Sequence, residues 1–367
     1  MSTLSFMDLK RQYKNIQQDM RDAFDEVCQN TAFAGGLYVA QFEKDFAAYI
    51  GVNNMAAVDN GTDALFMAVR ALGIRPGDEV IVPANTFIAT SWAPAYVGAK
   101  IVFVDCKADT WQIDPVAVEA AITEKTKAVI AVHLYGQPFD IDSVKTVTDA
   151  HGLYLIEDCA QAHGAKYKGK MVGGFGDIGC FSFYPGKNLG AYGDGGGVVS
   201  NNEEYIAHIK KMRDHGSDER YQHDELGFCL RMDGIQGAIL SKKLKYLPEW
   251  TARRQEIARR YFSGIKNPFI RIQYQPEWAE SVFHLFVALV DNREDFFMHM
   301  KSDEISCGIH YPIPCHLQKA FADLGYKKGD FPNAEYEAEH CVSLPMFPEM
   351  TDDEVKRVIV ACNSYKA

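Results

Sequence analysis

The sequence has no Cys-x-x-Cys pair, no apolar run long enough to span a membrane and no excess of basic residues. Each absence removes a class of protein. Without cysteines at ligand spacing, no zinc or other metal site is expected. The cysteines are nine, an odd number: Cys28, Cys106, Cys159, Cys180, Cys229, Cys307, Cys315, Cys341 and Cys362. They read as free thiols of a reducing, cytoplasmic setting. No stretch approaches the roughly 20 apolar residues that cross a bilayer, so no membrane partner is expected. Asp8, Lys10 and Arg11 precede any apolar run, which predicts no secretory leader. Lys and Arg number 38 against 49 Asp and Glu, a net charge of -11. An acidic chain of this kind is a poor partner for nucleic acid. Repeats and low-complexity segments are missing too.

What is present is an ordinary globular balance, 367 residues with 47% hydrophobic and 24% charged. That length accommodates a large domain and a smaller one. Residues 8–30 show Leu9, Tyr13, Ile16, Met20, Phe24 and Val27 at helical spacing. A break at Ala34-Gly35-Gly36 precedes a helix from about Val39 to Ile50. Asn60-Gly61-Thr62-Asp63 opens a helix through Leu72, closed by Gly73 and Pro76-Gly77. Strands and helices then alternate. Strands are predicted at Glu79–Val82, Lys100–Val104, Ala128–His133 and Leu153–Glu157; helices at Thr86–Val97, Pro115–Ala121 and Ile141–His151. The strands are short and mostly apolar, as in a parallel sheet covered by helices on both faces. A hairpin-like pair follows, Gly179–Tyr184 and Gly196–Ser200. A helical stretch, Ile235–Ile265, is predicted to bend or break at Pro248. The domain boundary is placed near residue 246, giving a large domain over 1–245 and a small C-terminal α/β domain over 246–367.

One stretch stands out. Phe181-Ser182-Phe183-Tyr184-Pro185-Gly186-Lys187-Asn188-Leu189-Gly190 puts a lysine between a β-like aromatic run and the loop Gly193-Asp194-Gly195-Gly196-Gly197. A lysine withdrawn from solvent loses its proton more easily, and a neutral amine can form a Schiff base with an aldehyde. Pyridoxal phosphate (PLP) is held that way. Other segments fit the same cofactor. Glu157-Asp158 ends a predicted strand, where α/β sheets place ligands, and PLP needs a carboxylate against its pyridine nitrogen. Asn60-Gly61-Thr62 opens a helix whose free amides can take a phosphate, and Ser182 is near enough in sequence to join them. Phe87 can stack on a ring. Read singly, each has a plainer explanation: a strand-end acid, an N-cap, a strand serine, a core phenylalanine.

Four motifs in order carry a resemblance: Asn60-Gly61-Thr62-Asp63-Ala64-Leu65, Glu157-Asp158-Cys159-Ala160-Gln161-Ala162-His163-Gly164, Phe181–Gly190, and Arg231-Met232-Asp233-Gly234-Ile235-Gln236. Together they resemble the DegT/StrS-type nucleotide-sugar aminotransferases, from about Phe6 onward. The resemblance implies an α/β protein of PLP fold type I, like aspartate aminotransferase, with a mostly parallel mixed sheet between helices. It implies a homodimer with active sites shared between subunits. By matching positions it implies Lys187 as the Schiff-base lysine and Asp158 as the pyridine partner. Gln161 takes the phenolic oxygen, Gly61, Thr62 and Ser182 the phosphate, and Phe87 the ring face. Arg231, His310 and Tyr311 fall on the substrate side, as do Thr31 and Phe33. One departure is visible. The family usually has Asn two residues before the arginine, reaching the phosphate across the dimer; this chain has Cys229, a weak donor.

The resemblance also implies the reaction. An amino group passes from L-glutamate through PLP to the keto carbon of a nucleotide-linked sugar, by ping-pong kinetics. Some relatives carry histidine at the lysine position and act as sugar dehydratases; Lys187 points to amination. Asn188-Leu189-Gly190-Ala191-Tyr192-Gly193-Asp194-Gly195-Gly196 resembles members that aminate C3 and departs from those that aminate C4. The expected substrate is a dTDP-3-keto-6-deoxyhexose, as in deoxyamino sugars of O-antigen or S-layer glycans, with a UDP-linked 3-keto uronate as runner-up. For the pyrophosphate, Arg231, His215, His223, His310, His316 and Lys319 are candidates, whereas His133 and His163 read as structural. A regulatory PLP-binding protein calls for an added basic helix-turn-helix, while this fold is predicted to start by about residue 8.

Overall fold

The computed structural model describes residues 3–219 and 221–366. Helix α1 (Leu9–Gln29) starts where the Asp8 carboxylate accepts the amides of Lys10 and Arg11, the usual way an acid satisfies orphan N–H groups. Helix α2 (Leu37–Ile50) begins two residues earlier than its periodicity suggests. Strand β1 (Asn54–Val58) then leads into α3 (Gly61–Ala71). Next come β2 (Glu79–Pro83), α4 (Ile88–Tyr96), β3 (Lys100–Val104), α5 (Pro115–Ala120), β4 (Thr126–Val132), α6 (Ile141–His151) and β5 (Tyr154–Asp158). Two short strands, β6 (Lys166–Tyr167) and β7 (Lys170–Met171), precede β8 (Ile178–Ser182) and β9 (Gly196–Ser200). Helices α7 (Glu203–Arg213), α8 (Gly234–Leu244) and α9 (Leu247–Gly264) follow.

Seven strands form one sheet in the order β1-β9-β8-β5-β4-β2-β3. The pairs from β3 through β8 are parallel; β9 runs antiparallel to both β8 and β1. Strand β2 is buried at every position, and its side chains alternate between two cores. Ile81 joins Phe42, Phe46, Ile141 and Val144, while Val80 and Val82 join Leu65, Ala93 and Ile209. Period-two alternation with both faces apolar is what a sheet sandwiched between helices requires.

The remaining elements build a second unit. Strands β10 (Ile270–Ile272), β12 (Phe286–Val290) and β13 (Cys341–Leu344) form an antiparallel sheet, and β11 (Ala279–Glu280) pairs with β6. Helices α10 (Arg293–Ser302) and α12 (Asp352–Ser364) pack on that sheet through Phe296, Met300 and Val358, whereas α11 (Pro332–His340) places Ala334 in a core of the large sheet. Leu247 packs in the core of the large sheet, whereas Ile257, Ala258 and Tyr261 pack with Phe286, Met300 and Val358. Helix α9 therefore runs from one core to the other just past residue 246. Leu4, from the opposite end of the chain, joins that second core.

Some local expectations shift. The Ile235–Ile265 stretch is two helices, and Pro248 stands in the first turn of α9, where its missing N–H costs nothing. The helix predicted from Thr86 starts at Ile88, leaving Phe87 extended as its N-cap (φ -67°, ψ 142°). Strand β1 has no sequence signal, because Asn-Met-Ala-Ala-Val lacks β-branched residues before its end. Among the described residues, no helix is long and apolar enough to cross a membrane.

Candidate active site

The parallel strands all end on one side, and a cleft of about 670 Å³ opens there. Asp158 is the last residue of β5 and Ser182 the last of β8. Lys187 follows five residues later on a tight loop, where its amide donates to the Tyr184 carbonyl at 2.8 Å. Gly61, Thr62, Phe87, Asp158, Gln161, Ser182, Lys187, His310 and Tyr311 all line this cleft.

Electrostatics differ among these groups. Burial pulls the Lys187 ammonium down to about 8, against the opposing attraction of Asp158. Asp158 is only 4% exposed. Burial raises its pKa, while the Ala160 amide, Thr90 and Lys187 hold it back. The Asp158 carboxylate accepts from the Ala160 amide at 3.1 Å and from the Thr90 hydroxyl at 2.8 Å. Thr90 Oγ1 also lies 2.8 Å from Thr86 Oγ1. Since Thr90 spends its proton on Asp158, Thr86 donates to Thr90. Gln161 accepts the Tyr135 amide at 2.6 Å through Oε1 and donates to the Tyr311 hydroxyl at 3.1 Å through Nε2.

The helix start at Gly61 forms a cradle. Asn60 caps the Asp63 amide at 2.9 Å, which leaves the first two amides of α3 open to the cleft. A Cβ on Gly61 would fall 2.5 Å from Ser182 Cβ, so only glycine lets β8 and α3 come this close. Ser182 Oγ accepts the Tyr184 amide at 3.4 Å, and its proton is free for an anion. Open amides at a helix start, with two hydroxyls beside them, fit a phosphate. Phe87 stands 5.5 Å from Tyr311, ring to ring, so the cleft has an aromatic wall.

Thr31, Phe33 and Arg231 do not line this cleft. Phe33 is half exposed, and Arg231 pairs with Asp214 at 2.7 Å. Cys229 is exposed, with its sulfur 3.5 Å from Arg231 Nη2. The pyrophosphate reading of His316 is corrected: it is 2% exposed and bonded to Glu335 at 3.0 Å, so it cannot meet a ligand. His310 stays, bonded through Nδ1 to Ser343 at 2.8 Å, with burial lowering it to about 4. His133 and Glu157 form a buried pair at 3.0 Å. Glu157 also accepts the amides of Gly173, Phe175 and Gly176, so its oxygens are fully used in fastening that loop. His163 is buried among Phe46, Phe181 and Phe183.

Sequence reasoning missed several cleft residues. Asp63 and Asp194 line it, and Thr90 reaches Asp158 from α4. His284 lines it as well, its Nδ1 3.3 Å from Asn188 Oδ1. Asn188 donates its amide to the Val282 carbonyl, so His284 Nδ1 carries the proton and Nε2 is an acceptor. Thr90, one turn into a helix predicted to start beside the cleft, was a usable signal; His284 had none.

Comparison with known proteins decides the family. The model of the DegT/DnrJ/EryC1/StrS aminotransferase family matches residues 14–363. The chain belongs to this family. It is accordingly an aminotransferase. It is 43% identical to dTDP-3-amino-3,6-dideoxy-alpha-D-galactopyranose transaminase of Aneurinibacillus thermoaerophilus, over 99% of each chain. It is 38% identical to UDP-2-acetamido-2-deoxy-3-oxo-D-glucuronate aminotransferase of Pseudomonas aeruginosa, over 98% of this chain and 99% of that one. Among solved structures, S. venezuelae DesV in complex with a ketimine intermediate superposes with a TM-score of 0.97 at 39% identity, over 99% and 98% of the two chains. NtdA of Bacillus subtilis with bound cofactor PMP superposes with a TM-score of 0.92 at 31% identity, over 99% and 85%. The fold is thus that of PLP aminotransferases, an α/β architecture with a mixed, mostly parallel central sheet.

Proposed function

We infer that this aminotransferase binds PLP at Lys187 and moves an amino group from L-glutamate to the C3 keto carbon of a nucleotide-linked sugar. A dTDP-3-keto-6-deoxyhexose is the substrate we assign. The observation that carries the reading is the pairing of a lysine lowered to about 8 with a buried aspartate in one cleft. Bound PLP supplies an aldehyde carbon for amines and a ring that accepts an electron pair released at the donor's Cα. The residues do the rest. Gly61, Thr62 and Ser182 hold the phosphate through amides and hydroxyls. Asp158 keeps a proton on the ring nitrogen, and Thr90 steadies its carboxylate. Gln161 offers its second Nε2 proton to the phenolic oxygen. Phe87 covers one ring face. Lys187 Nζ, its ammonium weakened by burial, takes the proton from the donor's Cα in its neutral form and later returns one to the sugar carbon.

Thr31 and Phe33 are exposed, Arg231 is part-buried, and all three are away from this chain's own cleft. That supports a homodimer in which each copy lends them to the other's site, with His310 and Tyr311 supplied from within. The nine free thiols suit a cytoplasmic enzyme. The second reading, a UDP-linked 3-keto uronate, has the Pseudomonas relative in its favour. Turnover with glutamate and each of the dTDP-linked 3-keto, UDP-linked 3-keto and 4-keto sugars separates these readings. The highest kcat/KM is expected with the dTDP-linked 3-keto sugar; a preference for either other class overturns the assignment.

A further inference from the structure

A buried acid outside the mechanism above bridges two walls of the cleft. Glu337, on α11, is 2% exposed. Its Oε2 lies 2.6 Å from Asn85 Nδ2, and Oε1 lies 2.7 Å from the Tyr135 hydroxyl. The same hydroxyl lies 2.5 Å from the His310 carbonyl. One hydroxyl has one proton, and a carbonyl can only accept. Tyr135 therefore donates to His310, and the second short contact needs a proton from Glu337. A carboxylic acid satisfies every atom: Oε1–H donates to Tyr135, and Oε2 accepts from Asn85.

The groups around it agree. The Asp105 carboxylate, after β3, raises its pKa. The Cys106 sulfur stands 4.0 Å from Oε2. Arg293 of α10 donates to the Ala338 carbonyl, and Cys341 of β13 is a buried thiol. Among the described residues no lysine or arginine bonds Glu337.

Asn85 begins the segment that carries Phe87, and it also donates to the Trp111 carbonyl at 2.8 Å. Tyr135 holds the loop that carries His310 and Tyr311. We propose that Glu337 is a positioning residue, kept as a neutral acid, that ties the Phe87 wall to the His310–Tyr311 wall and releases them when it ionises. This rests on the PLP reading of the cleft for its effect on turnover, but not for its effect on stability.

Burial pushes Glu337 up to about 8, against the bond donated by Asn85, which lowers it. In the unfolded chain it ionises near the ordinary 4.5. Between those values the folded protein holds a proton that the unfolded chain has released. Stability from this group therefore falls as pH rises through the window and levels off above about 8.

Glutamine suits the same geometry, its Nε2 donating to Tyr135 and its oxygen accepting from Asn85. The test compares wild type, Glu337→Gln and Glu337→Leu as holoenzymes, by melting temperature and kcat/KM from pH 6 to 9.5. In Glu337→Gln the melting temperature is expected to fall less steeply with pH than in wild type up to about pH 8, with the gain constant above that. Its turnover at pH 7 should persist, and the loss expected in wild type above pH 8 should shrink. Glu337→Leu takes the shared partner from Asn85 and Tyr135, cutting the tie between the two walls, and should lose about 10- to 100-fold in kcat/KM at pH 7. A Glu337→Gln protein that melts with the wild-type pH slope overturns the proposal, as does a Glu337→Leu protein as active as Glu337→Gln. If Glu337→Leu does not fold, the slope comparison still decides. If no sugar turns over, the assigned function fails while the melting result stands on its own.

Discussion

The floor and the rim of the cleft are built on different terms. The floor comes from strand ends of a single sheet: Asp158 closes β5, Ser182 closes β8, and Lys187 stands on the loop that follows. Asp158 and Ser182 are positioned by side-chain bonds within the chain, and Lys187 by its backbone amide on Tyr184. Thr31, Phe33 and Arg231 lie outside this chain's own cleft and form a rim, as we read it, only for a second copy's cleft, and Arg231 is occupied by Asp214. A single sheet suffices to prepare cofactor chemistry; substrate recognition, as we read it, waits for a second copy.

The sharpest way to break that comparison is to damage floor and rim separately and then mix them. Lys187→Ala removes the amine and should lower turnover by more than about 10³-fold, the range of positioned acid–base catalysis. Arg231→Ala should lower it by less. If clefts are shared, mixing the two impaired proteins under exchange conditions creates heterodimers with one intact cleft. About a quarter of wild-type activity should then return, by random pairing of a twofold dimer. No recovery in the mixture, with exchange verified by mass, sinks the shared-cleft reading and returns Arg231 to a purely surface role.

A smaller effect probes the floor alone. Thr90→Val keeps the shape of α4 but removes the hydroxyl that donates to Asp158 at 2.8 Å. Hydrogen bonds to charged groups contribute about 1.5–3 kcal/mol. Asp158 should become harder to ionise and the ring nitrogen easier to deprotonate. We expect kcat to fall by about 10-fold with KM nearly unchanged, and the absorbance of the bound chromophore to titrate at lower pH. Thr90→Ser should restore both. A Thr90→Val enzyme that loses KM instead would place Thr90 at the substrate.

The sequence made the floor legible because its parts are local. A lysine beside a glycine loop, an acid at a strand end and an amide-rich helix start are each written in a few consecutive residues. The sheet was legible for the same reason, through short apolar strands alternating with helices. What stayed hidden depends on distant pairing. Strand β1 is a strand because β9 needs a neighbour, as its register of Met55 against Val199 shows. Phe87 is an N-cap, and its side chain meets Tyr311 from more than two hundred residues away. Asn85, Tyr135, His310 and Glu337 come from separate elements, and only the fold reveals that they share one proton count. His316 misled for another reason: a pyrophosphate needs local positive charge and a histidine can carry it, but burial against Glu335 removes this one.

The finest test concerns the one place where the rim departs from family pattern. Cys229 is exposed, and its sulfur meets Arg231 at 3.5 Å. A thiol is a poor donor, so a phosphate reached across the dimer gains little from it. Cys229→Asn supplies an amide donor of similar size at the same position. One added hydrogen bond contributes about 0.5–1.5 kcal/mol, so cofactor retention should tighten by about 2- to 10-fold. Because the change lies on the rim, the chromophore's band position and its pH titration should stay as in wild type, since those report Asp158 and Lys187. Titration of the apoenzyme with PLP measures the first effect, and the absorbance spectrum checks the second. Unchanged affinity means that residue 229 does not reach the phosphate of either copy. A shifted band means that rim and floor are coupled, and the separation drawn between them fails.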